Sequence, residues 1–509
     1  MNGLKKIKTV LVSVFHKDGI SDLIQLLNEQ GATFISTGGT SGFLKNMGIE
    51  VTEVEKITGF PEILGGRVKT LHPAIFGGIL ARGDHGTDQE ELSRFSIDSV
   101  DLVIVDLYPF EQTVMAGAGH EDIIEKIDIG GISLIRAAAK NYSDVAIISS
   151  MDQYQEVYNL LLDQQGSLAL EQRAALAAEA FGVSSYYDSA IFNYLQKKSN
   201  TKRQLRIAEK ESISLRYGEN PHQKGWFHGN LASCFDKIAG KEISYNNLLD
   251  IDAAIHLIND FEEPTCAIIK HNNACGAASR PNLKEAWEAA LAGDAVSAFG
   301  GVIIFNRTLD VPTAHAVNSI FFEVLIAPGF EEGSADVFKG KSNRILLQSK
   351  PFKSPGTLIR NTLNGFLEQE PDLIKEDFSH LQTVTNRALT EEEAHDLVFA
   401  IKLSKHSKSN TVILVKNKQL IGAGSGLTSR VDALKLAIRR SEEFGFSLQG
   451  SVMASDAFFP FPDCVEISAL AGVTAISQPG GSVKDQLSID KANELGVSMA
   501  LTGFRHFKH

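Results

Sequence analysis

Cysteine is scarce in this chain of 509 residues, and its copies are scattered without a CxxC pair: Cys234, Cys266, Cys275 and Cys464. A disulfide framework or a cysteine-based zinc site needs clustered pairs, so the sequence argues against both. Cys275 follows His271 at a spacing that a metal could use, but no second ligand pair accompanies it, and we expect no catalytic metal. A zinc nucleobase deaminase is also excluded, because the H-x-E and P-C-x-x-C elements that it needs are absent.

Long apolar runs and an excess of positive charge are missing as well. No stretch approaches the ~18–20 apolar residues that cross a bilayer, and the apolar run near the N-terminus stops at Phe15, before His16, Lys17 and Asp18. We therefore expect a cytoplasmic protein that does not bind membranes. The formal net charge of −13 argues against a nucleic-acid partner, because such a partner needs a broad basic face. Local basic pockets can still bind small anions.

The length of the chain and its hydrophobic content of 43% are typical of a globular protein with two or more domains. In the first part, strand patterns alternate with helical patterns, which predicts an α/β fold with a parallel sheet that binds ligands at the C-terminal ends of its strands. The first predicted helix has Asp18 and Ser21 as candidate caps. An alanine-rich helical stretch then ends in a polar basic segment, so we place a domain boundary near 199–204, between domains 1–199 and 200–509.

The second domain opens in a loop-rich segment, LRYGENPHQ, and then mixes strands with helices. Its most regular pattern covers 411–426, which predicts a hairpin with a polar turn at Asn417 and Lys418. Internal repetition is not convincing in this half of the sequence, and no segment is of low complexity.

Three segments of the first domain combine glycine with hydroxyl or cationic side chains. TGGT (37–40) suits a phosphate, because its backbone N–H groups lie beside a helix start, although a strand-end Gly-Gly pair is also an ordinary turn. In GGRVKTLHP, Arg67 and Lys69 point to one side of an extended segment and repel each other unless an anion lies there. IDIGG (127–131) and Lys140 complete the set, but a lysine after a helix is often only a solvated end.

The segment CAIIKHNNACG (266–276) ends a core-like strand in a cation and an imidazole, Lys270 and His271. Either the strand leaves the core through a polar turn, or its end holds a catalytic base. Because adjacent residues of a regular strand point to opposite faces, the catalytic hypothesis predicts a break at 270–271 that lets both side chains reach one cleft. Further on, SDAFFPFPD (455–463) suits either a slot for a flat heterocycle or ordinary core packing.

These motifs form one ordered set along nearly the whole chain: GGRVKTLHP, DLYPF, IDIGG with RAAAKN, LRYGENPHQ, IIKHNNACG, SDAFFPFPD and FRHFKH. By this set the chain resembles the bifunctional family of purine biosynthesis that combines phosphoribosylaminoimidazolecarboxamide formyltransferase with IMP cyclohydrolase. The resemblance implies an N-terminal methylglyoxal-synthase-like domain and a C-terminal transformylase of two zinc-free, cytidine-deaminase-like α/β units. It also implies a homodimer with shared transformylase sites.

The reactions implied by the resemblance are the last two of IMP synthesis. 10-Formyltetrahydrofolate, the cosubstrate, formylates the aminoimidazole carboxamide ribotide (AICAR) to FAICAR, which then closes to IMP with loss of water. For ring closure the resemblance implies catalytic roles for Lys69, Tyr108, Asp128 and Lys140, the last as proton donor and acceptor. Substrate contacts are implied for strand-end and loop residues: Ser13, Lys17, Thr37, Gly38, Gly39, Thr40, Arg67, Thr70, Asp106 and Ile129.

For formyl transfer the resemblance implies that His271 is the base that removes a proton from the amine of AICAR, a poor nucleophile. Lys270 would stabilise the oxyanion on the formyl carbon. Nucleotide and folate contacts are implied for a larger set: Arg216, Tyr217, Glu323, Asn410, Arg430, Val431, Phe458, Asp463, Ser482, Val483 and Arg505.

The chain departs from the family pattern in a few places. The usual SVSDK near the start is SVFHK, so Phe15 and His16 stand where a small polar residue and an acid are expected. Ala274 replaces the usual proline after KHxN, and Glu323 stands where the family more often has Asp. The altered first loop leaves one alternative, in which the first domain only binds a nucleotide effector beside a working transformylase. The sequence retains the residues that ring closure is expected to use, which argues against this alternative: Arg67, Lys69, Tyr108, Asp128 and Lys140.

Overall fold

The computed structural model describes residues 3–64, 67–199, 202–351 and 353–509. The chain forms two compact units, Met1–Lys210 and Glu211–His509. The two glycines that open GGRVKTLHP and part of the expected boundary at 199–204 lie outside the described residues. In the described part of the chain, no helix is both long enough and apolar enough to cross a membrane.

The first unit alternates strands and helices, as the sequence pattern predicts. Its strands are β1 (Lys5–Lys6), β2 (Thr9–Ser13), β3 (Thr33–Ser36), β4 (Val51–Glu53), β5 (Leu102–Val105), β6 (Ala146–Ile148) and β7 (Ser167–Leu168). Its helices are α1 (Ser21–Glu29), α2 (Gly38–Asn46), α3 (Val54–Thr58), α4 (Pro73–Leu80), α5 (Gly86–Arg94), α6 (Phe110–Met115), α7 (His120–Glu125), α8 (Gly130–Lys140), α9 (Tyr154–Asp163) and α10 (Leu170–Lys198).

Five parallel strands form the sheet of the first unit, in the order β4-β3-β2-β5-β6. The predicted parallel sheet is therefore confirmed. Helices cover the sheet, so that every residue of β5 is buried, which explains why this strand reads as an unbroken apolar run. Parallel strands end at the same edge, and the loops after β2, β3 and β5 therefore come close together.

The predicted cap of the first helix is wrong. Neither Asp18 nor Ser21 caps α1; the helix begins after Ile20, which makes no side-chain cap hydrogen bond. Ile20 is fully buried and the apolar face of α1 packs in the core. Burial of this face fixes where the helix starts, because helix stability in proteins comes mainly from packing an apolar face.

The second unit is dominated by one large sheet. Its strands are β8 (Ser212–Leu215), β9 (Gly225–His228), β10 (Phe235–Ala239), β11 (Thr265–Lys270), β12 (Asn273–Ser279), β13 (Val302–Phe305), β14 (Val324–Ala327), β15 (Ile345–Ser349), β16 (Leu358–Thr362), β17 (Gly365–Gln369), β18 (Gln382–Thr383), β19 (Val412–Lys416), β20 (Gln419–Gly424), β21 (Ser451–Ser455), β22 (Val473–Gln478) and β23 (Ser498–Leu501). Its helices are α11 (Tyr245–Ile258), α12 (Leu283–Gly293), α13 (Ala295–Ala298), α14 (Val311–Val317), α15 (Glu391–His406), α16 (Arg430–Glu443), α17 (Asp463–Ala471) and α18 (Asp485–Leu495).

The large sheet contains two copies of the same unit, a repetition that the sequence did not reveal to us. In each copy an antiparallel hairpin, β11–β12 or β19–β20, precedes a strand antiparallel to its first member, β13 or β21. Two parallel strands follow, β14 and β15 in one copy, β22 and β23 in the other. The copies join where β12 lies antiparallel to β20. The two α/β units implied by the resemblance are therefore present.

The two copies also agree in local detail. Lys270 ends β11 as Lys416 ends β19, and each hairpin carries a bulge in its second strand, at Cys275 in β12 and at Ile421 in β20. A Cβ atom on Gly276 would lie 2.1 Å from the carbonyl oxygen of Ala290, and one on Gly422 would lie 2.3 Å from that of Ala437. Only glycine lets the following helix, α12 or α16, approach each hairpin so closely.

Candidate functional site

A cavity of about 760 Å³ lies at the C-terminal ends of β2, β3 and β5. It is the place where a parallel sheet is expected to bind a ligand. Its walls contain nearly all of the residues predicted for ring closure: Ser13, Lys17, Thr37, Gly39, Thr40, Arg67, Lys69, Thr70, Asp106, Tyr108, Asp128 and Ile129. Gly38 lies next to this wall, within reach of the Lys69 ammonium. We call this space the strand-end cavity.

Hydrogen bonds hold the loop after β2 against the rest of the cavity wall. The Thr40 hydroxyl donates to the carbonyl of Val14 at 2.9 Å. The buried carboxylate of Asp106 accepts the N–H groups of Phe15 and His16, the latter at 2.9 Å. The loop is thus fixed from both neighbouring strands, which pre-organises the residues that follow β2.

Lys17 folds back over this loop. Its Nζ donates to the carbonyl groups of Val14 at 2.6 Å and Phe15 at 2.7 Å. Burial lowers the pKa of Lys17, the charge of Asp106 raises it, and the nearby Lys69 lowers it further. Both lysines line the strand-end cavity, so both are available to the same bound anion.

The N-terminus of α2 forms a candidate anion site. Thr37 is its N-cap residue but makes no side-chain cap hydrogen bond, and its buried Oγ1 has no partner among the described residues. The Nζ of Lys69 lies 3.7 Å from the position of a Cβ on Gly38, the first residue of the helix. Free N–H groups at a helix N-terminus, a hydroxyl and an ammonium group together suit a phosphate.

Asp128 and Tyr108 face the opposite part of the cavity. The Asp128 carboxylate accepts the N–H of Gly131 at 2.6 Å, and its own N–H donates to the Tyr187 hydroxyl at 2.8 Å. Burial raises the pKa of Asp128, against the opposing effects of Gly131, Tyr108 and Lys69. Burial and the charges of Asp128 and Glu62 raise the pKa of Tyr108. A carboxyl group with a raised pKa is suited to take and return a proton.

The structure does not bring Lys140 to the strand-end cavity. Helix α8 begins beside the cavity at Gly130 and ends at Lys140, which is exposed. Ten residues of helix separate the two by roughly 15 Å. Lys140 is therefore not among the residues that line the cavity, and its role in ring closure stays a prediction.

The departure SVFHK adds an imidazole behind the cavity wall. The Nδ1 of His16 lies 2.7 Å from the Asp106 carboxylate, so that side chain and backbone of the same residue bind one acid. The Phe15 ring packs edge-on against Tyr108, with 5.3 Å between ring centroids. The two unusual residues therefore make their contacts with predicted site residues.

In the second unit, β11 ends at Lys270, and His271 and Asn272 form a two-residue turn into β12. Their φ angles are +52° and +64°, so both lie in the left-handed region. This turn, which we call the His271 turn, confirms the predicted break in strand geometry. The imidazole is exposed. The prediction that Lys270 and His271 reach one cleft stays a prediction.

Lys270 and its counterpart in the second copy make the same contact. Lys270 Nζ donates to the carbonyl of Phe299 at 2.6 Å, and Lys416 Nζ donates to that of Gln449 at 2.6 Å. The predicted hairpin turn at Asn417 and Lys418 is confirmed, with φ angles of +53° and +50°. The lysine contact is therefore a feature of the duplicated hairpin, whereas the imidazole belongs to the first copy.

Hydrogen bonds link the His271 turn to other predicted site residues. The Asn273 side chain donates to the carbonyl of His271 at 3.0 Å and accepts the N–H of Lys408 at 3.3 Å. Two residues further on, Asn410 donates to two carbonyl groups of the loop before Arg430, at 3.0 and 3.3 Å. The structure thus places the His271 turn, Asn410 and the start of α16 in one region of the unit.

Arg430 joins this region to the C-terminus. Its guanidinium donates to the Ser455 hydroxyl and to the Asp456 carboxylate, each at 2.8 Å. Asp456 is fully buried, and its carbonyl accepts the N–H of His506 at 3.1 Å. The C-terminal segment with Arg505 therefore runs past the start of α16, as needed for residues that share a ligand.

The remaining predicted transformylase residues are spread over several loops. Among the described residues, no hydrogen bond or ion pair joins Arg216, Tyr217 or Glu323 to the His271 turn. Glu323 instead pairs with Lys241 at 2.6 Å. The others lie at the starts of α16 and α17 and in the loops before α17 and α18, with Val483 fully exposed: Val431, Asp463, Phe458, Ser482 and Val483.

Comparison with known proteins identifies the family. A model described as AICARFT/IMPCHase bienzyme matches residues 138–440, and a model of the MGS-like domain matches residues 19–133. A protein of Bacteroides thetaiotaomicron, named bifunctional purine biosynthesis protein PurH, is 56% identical over 509 residues and covers 100% of both chains. The chain belongs to the AICARFT/IMPCHase bienzyme family. A protein of the same name from Aquifex aeolicus is 45% identical over 98% of this chain and 99% of its own.

The ranges matched by the two family models agree with the observed fold. The MGS-like match covers α1 to the start of α8, and so includes most of the strand-end cavity. The predicted combination of an MGS-like first domain with a large α/β transformylase domain is confirmed. Which domain carries which activity, and the boundary between 1–199 and 200–509, stay predictions.

Several residues of the bienzyme's two candidate sites were not predicted from the sequence. Glu62, Glu125 and Lys126 line the strand-end cavity, where Glu125 forms an ion pair with Arg67. The available signal was their position directly beside the motifs GGRVKTLHP and IDIGG. In the second unit, Asp456 was quoted within SDAFFPFPD but not singled out, and only the structure reveals its bond to Arg430.

Proposed function

We propose that the chain carries out both of the last two reactions of IMP synthesis, with ring closure in the first unit and formyl transfer in the second. Membership of the bienzyme family supports the pair of reactions. The observation that carries the assignment of ring closure is the strand-end cavity, which gathers the expected residue types from separate strand ends. A cytoplasmic location, AICAR as the formyl acceptor and 10-formyltetrahydrofolate as the formyl donor are part of the same proposal.

In the strand-end cavity the ribose 5′-phosphate of FAICAR would bind at the N-terminus of α2. The N–H groups of Gly38 and Gly39 and the unpartnered Thr37 hydroxyl would hold the phosphate oxygens. Lys17 and Lys69 would balance its charge. This places the base at the other side of the cavity, towards Asp128 and Tyr108 and away from Lys140.

Ring closure joins the carboxamide nitrogen of FAICAR to its own formyl carbon. Both groups belong to one molecule, so a cavity that holds them in near-attack geometry replaces a bimolecular collision. Lys69 would stabilise the oxygen of the tetrahedral adduct. Asp128, whose pKa burial raises, and Tyr108 would accept the amide proton and return a proton to the departing water.

In formyl transfer, His271 would remove a proton from the amine of AICAR as its nitrogen attacks the formyl carbon, and would pass it to the nitrogen of tetrahydrofolate as that group leaves. The oxyanion on that carbon would be stabilised by Lys270. An ammonium group has three donors, so Lys270 can keep its bond to the Phe299 carbonyl and still donate to the oxyanion. Arg430, Asn410 and Arg505 would bind the nucleotide in the adjoining region.

A homodimer with shared transformylase sites is also part of the proposal. His271 is exposed in the single chain, whereas a general base works best where water is excluded. A second chain that covers the His271 turn would provide this environment. Light scattering coupled to size-exclusion chromatography gives the mass, and a mass of one chain at working concentrations would contradict this part of the proposal.

The test uses the full-length chain with His271→Ala and, as matched control, Asn417→Ala. Both replacements put alanine at a turn position with φ near +52°, so the backbone strain is the same in each. We expect His271→Ala to lower formyl transfer by about 10²–10⁴-fold and to leave ring closure of supplied FAICAR intact. Asn417→Ala should leave both activities close to wild type.

Three outcomes would count against the proposal. If His271→Ala keeps formyl transfer, the imidazole is not the base. If His271→Ala lowers both activities together, the reactions do not use separate sites. If the wild-type chain formylates AICAR but closes FAICAR no faster than buffer does, the first unit is an effector-binding domain, which is the alternative that SVFHK suggested.

A further inference from the structure

The direction in which His271 points depends on an unusual backbone turn. Side chains with a Cβ atom disfavour the left-handed region, and here two such residues, His271 and Asn272, adopt it in succession. Two-residue hairpin turns of this kind favour Asn and Gly, so a histidine at the first position adds strain that other groups must offset. One of these groups is Asp250 of α11, whose half-buried carboxylate accepts the N–H of Asn272 at 2.6 Å.

The second copy of the unit contains the same arrangement. Asp396 of α15 accepts the N–H groups of Asn417 at 2.8 Å and Lys418 at 2.5 Å. Asp250 and Asp396 occupy corresponding places in the two helices that precede the hairpins. A carboxylate from this helix is therefore a regular means by which this fold holds its hairpin turn.

The two turns differ in what they carry. The first turn residue is His271 in one copy and Asn417 in the other, and their φ angles are +52° and +53°. The backbone conformation is thus the same, but only the first copy places a titratable ring on it. At the second turn Asp396 only holds the backbone. At the first turn the corresponding Asp250 holds the backbone and thereby also sets the direction of the His271 side chain.

We infer that Asp250 is a positioning residue for formyl transfer, which acts by holding the His271 turn and so the direction of the imidazole. The inference rests on the proposed function of His271. Asp250 does not need to touch the substrate, because its contact is with the backbone of the turn. A displacement of about 1 Å in a catalytic group can cost 10²-fold in rate, so loss of this contact should be visible in kcat.

The experiment compares four full-length variants: Asp250→Ala, Asp250→Asn, Asp396→Ala and Asp396→Asn. We expect Asp250→Ala to lower kcat of formyl transfer by about 10–10²-fold, with the KM for AICAR changed by no more than about twofold. Asp250→Asn keeps an oxygen that can accept the N–H of Asn272, so it should recover most of this loss. The Asp396 variants should keep kcat within about twofold of wild type.

Two readouts separate positioning from loss of folding. Ring closure measured in the same preparations reports on the chain as a whole, and thermal unfolding reports on the second unit. Asp396→Ala removes the acceptor of two N–H groups and Asp250→Ala that of one, so Asp396→Ala should destabilise the second unit at least as much. If Asp250→Ala does not fold, Asp250→Leu and Asp396→Leu take the place of the alanine variants, because leucine removes the acceptor and keeps a side chain of similar size; a loss of kcat only at Asp250 supports the inference.

Each outcome has a definite meaning. Equal losses of kcat in the Asp250 and Asp396 variants would make Asp250 merely structural and would overturn the inference. An unchanged kcat in Asp250→Ala would overturn it as well. If His271→Ala keeps formyl transfer, the proposed function fails instead, whatever the Asp250 variants do; if His271→Ala loses it and Asp250 behaves like Asp396, only the inference fails.

Discussion

Lys69 is expected to be the most important cation of the strand-end cavity, and Lys69→Met tests this. The replacement removes the charge but keeps an unbranched side chain of similar length. We expect kcat/KM for conversion of FAICAR to IMP to fall by about 10²–10³-fold, or roughly 2.7–4 kcal/mol of transition-state stabilisation. Formyl transfer in the same chain should not change.

The magnitude follows from where the ammonium group lies. It is 3.7 Å from the Cβ position of Gly38 at the N-terminus of α2, and its charge contributes to the lowered pKa of Lys17 and opposes the effect of burial that raises the pKa of Asp128. Lys69 therefore lies beside the proposed phosphate site, and its charge also affects Asp128. At an effective dielectric constant of ~20, unit charges about 4 Å apart interact by roughly 4 kcal/mol, which is the upper end of the expected loss.

Lys140→Met is the matched control, because it makes the same chemical change at the far end of α8. As Lys140 is exposed and lies roughly 15 Å along the helix from Gly130, this variant should stay within about twofold of wild type. The assay supplies FAICAR and follows IMP by its absorbance. A Lys69→Met chain that closes FAICAR at nearly the wild-type rate would refute the argument, and a large loss in Lys140→Met would show that this lysine takes part after all.

Three further predictions concern stability. Gly38→Ala should destabilise the first unit by about 1–2 kcal/mol, because φ is +52° there. Gly39→Ala should not destabilise it, since φ of Gly39 is ordinary and the new methyl group would meet no neighbouring group within 4 Å. Urea unfolding measures the difference in the free energy of unfolding. Arg430→Met leaves the buried Asp456 carboxylate unpaired and should cost about 3–5 kcal/mol, a loss that adding Asp456→Asn should reduce. Burial disfavours a charged His506, but its bonds to Asp372 and Glu376 outweigh this and raise the pKa of His506 to about 9. The stabilising effect of His506 should be complete below pH ~6.5 and disappear as the pH rises through about 9. The difference in Tm between wild type and His506→Gln should therefore shrink over that range. A difference in Tm that stays constant with pH would contradict this prediction.

The parts of the structure that follow from local pattern could be predicted from the sequence. The alternation of strands and helices gave the parallel sheet, and the rule about strand ends then brought Ser13, Thr37 and Asp106 to one cavity. A break in the strand at 270–271 was expected because two adjacent side chains of a regular strand cannot serve one site, but its left-handed conformation was not predicted. These predictions need only the period of the pattern and the geometry of a strand.

Other features of the fold and of the candidate site depend on how residues pack in the folded chain, which the local sequence pattern does not reveal. Lys140 is near IDIGG in the sequence, but the intervening residues form a helix, and Lys140 is not among the residues that line the cavity. The start of α1 is set by the burial of Ile20 and not by the hydroxyl and carboxylate that looked like caps. The duplication was hidden because most corresponding residues differ, as in CAIIKHNNACG and VILVKNKQLIG, while the packing remains the same.

The duplication gives a way to separate architecture from function without any relative for comparison. What both copies share, such as the lysine bond to a carbonyl and the carboxylate under the turn, is required by the hairpin itself. The presence of a lysine at 270 is therefore weak support for catalysis, because the corresponding Lys416 of the second copy makes the same contact where no imidazole follows. At the first position of the turn the copies differ: it is His271 in one and Asn417 in the other, with nearly the same φ angle. The fold therefore does not require a histidine there. Because the architecture does not need this imidazole, its removal should leave the hairpin intact, and for this reason the His271→Ala and Asn417→Ala pair discriminates more sharply than any variant of Lys270.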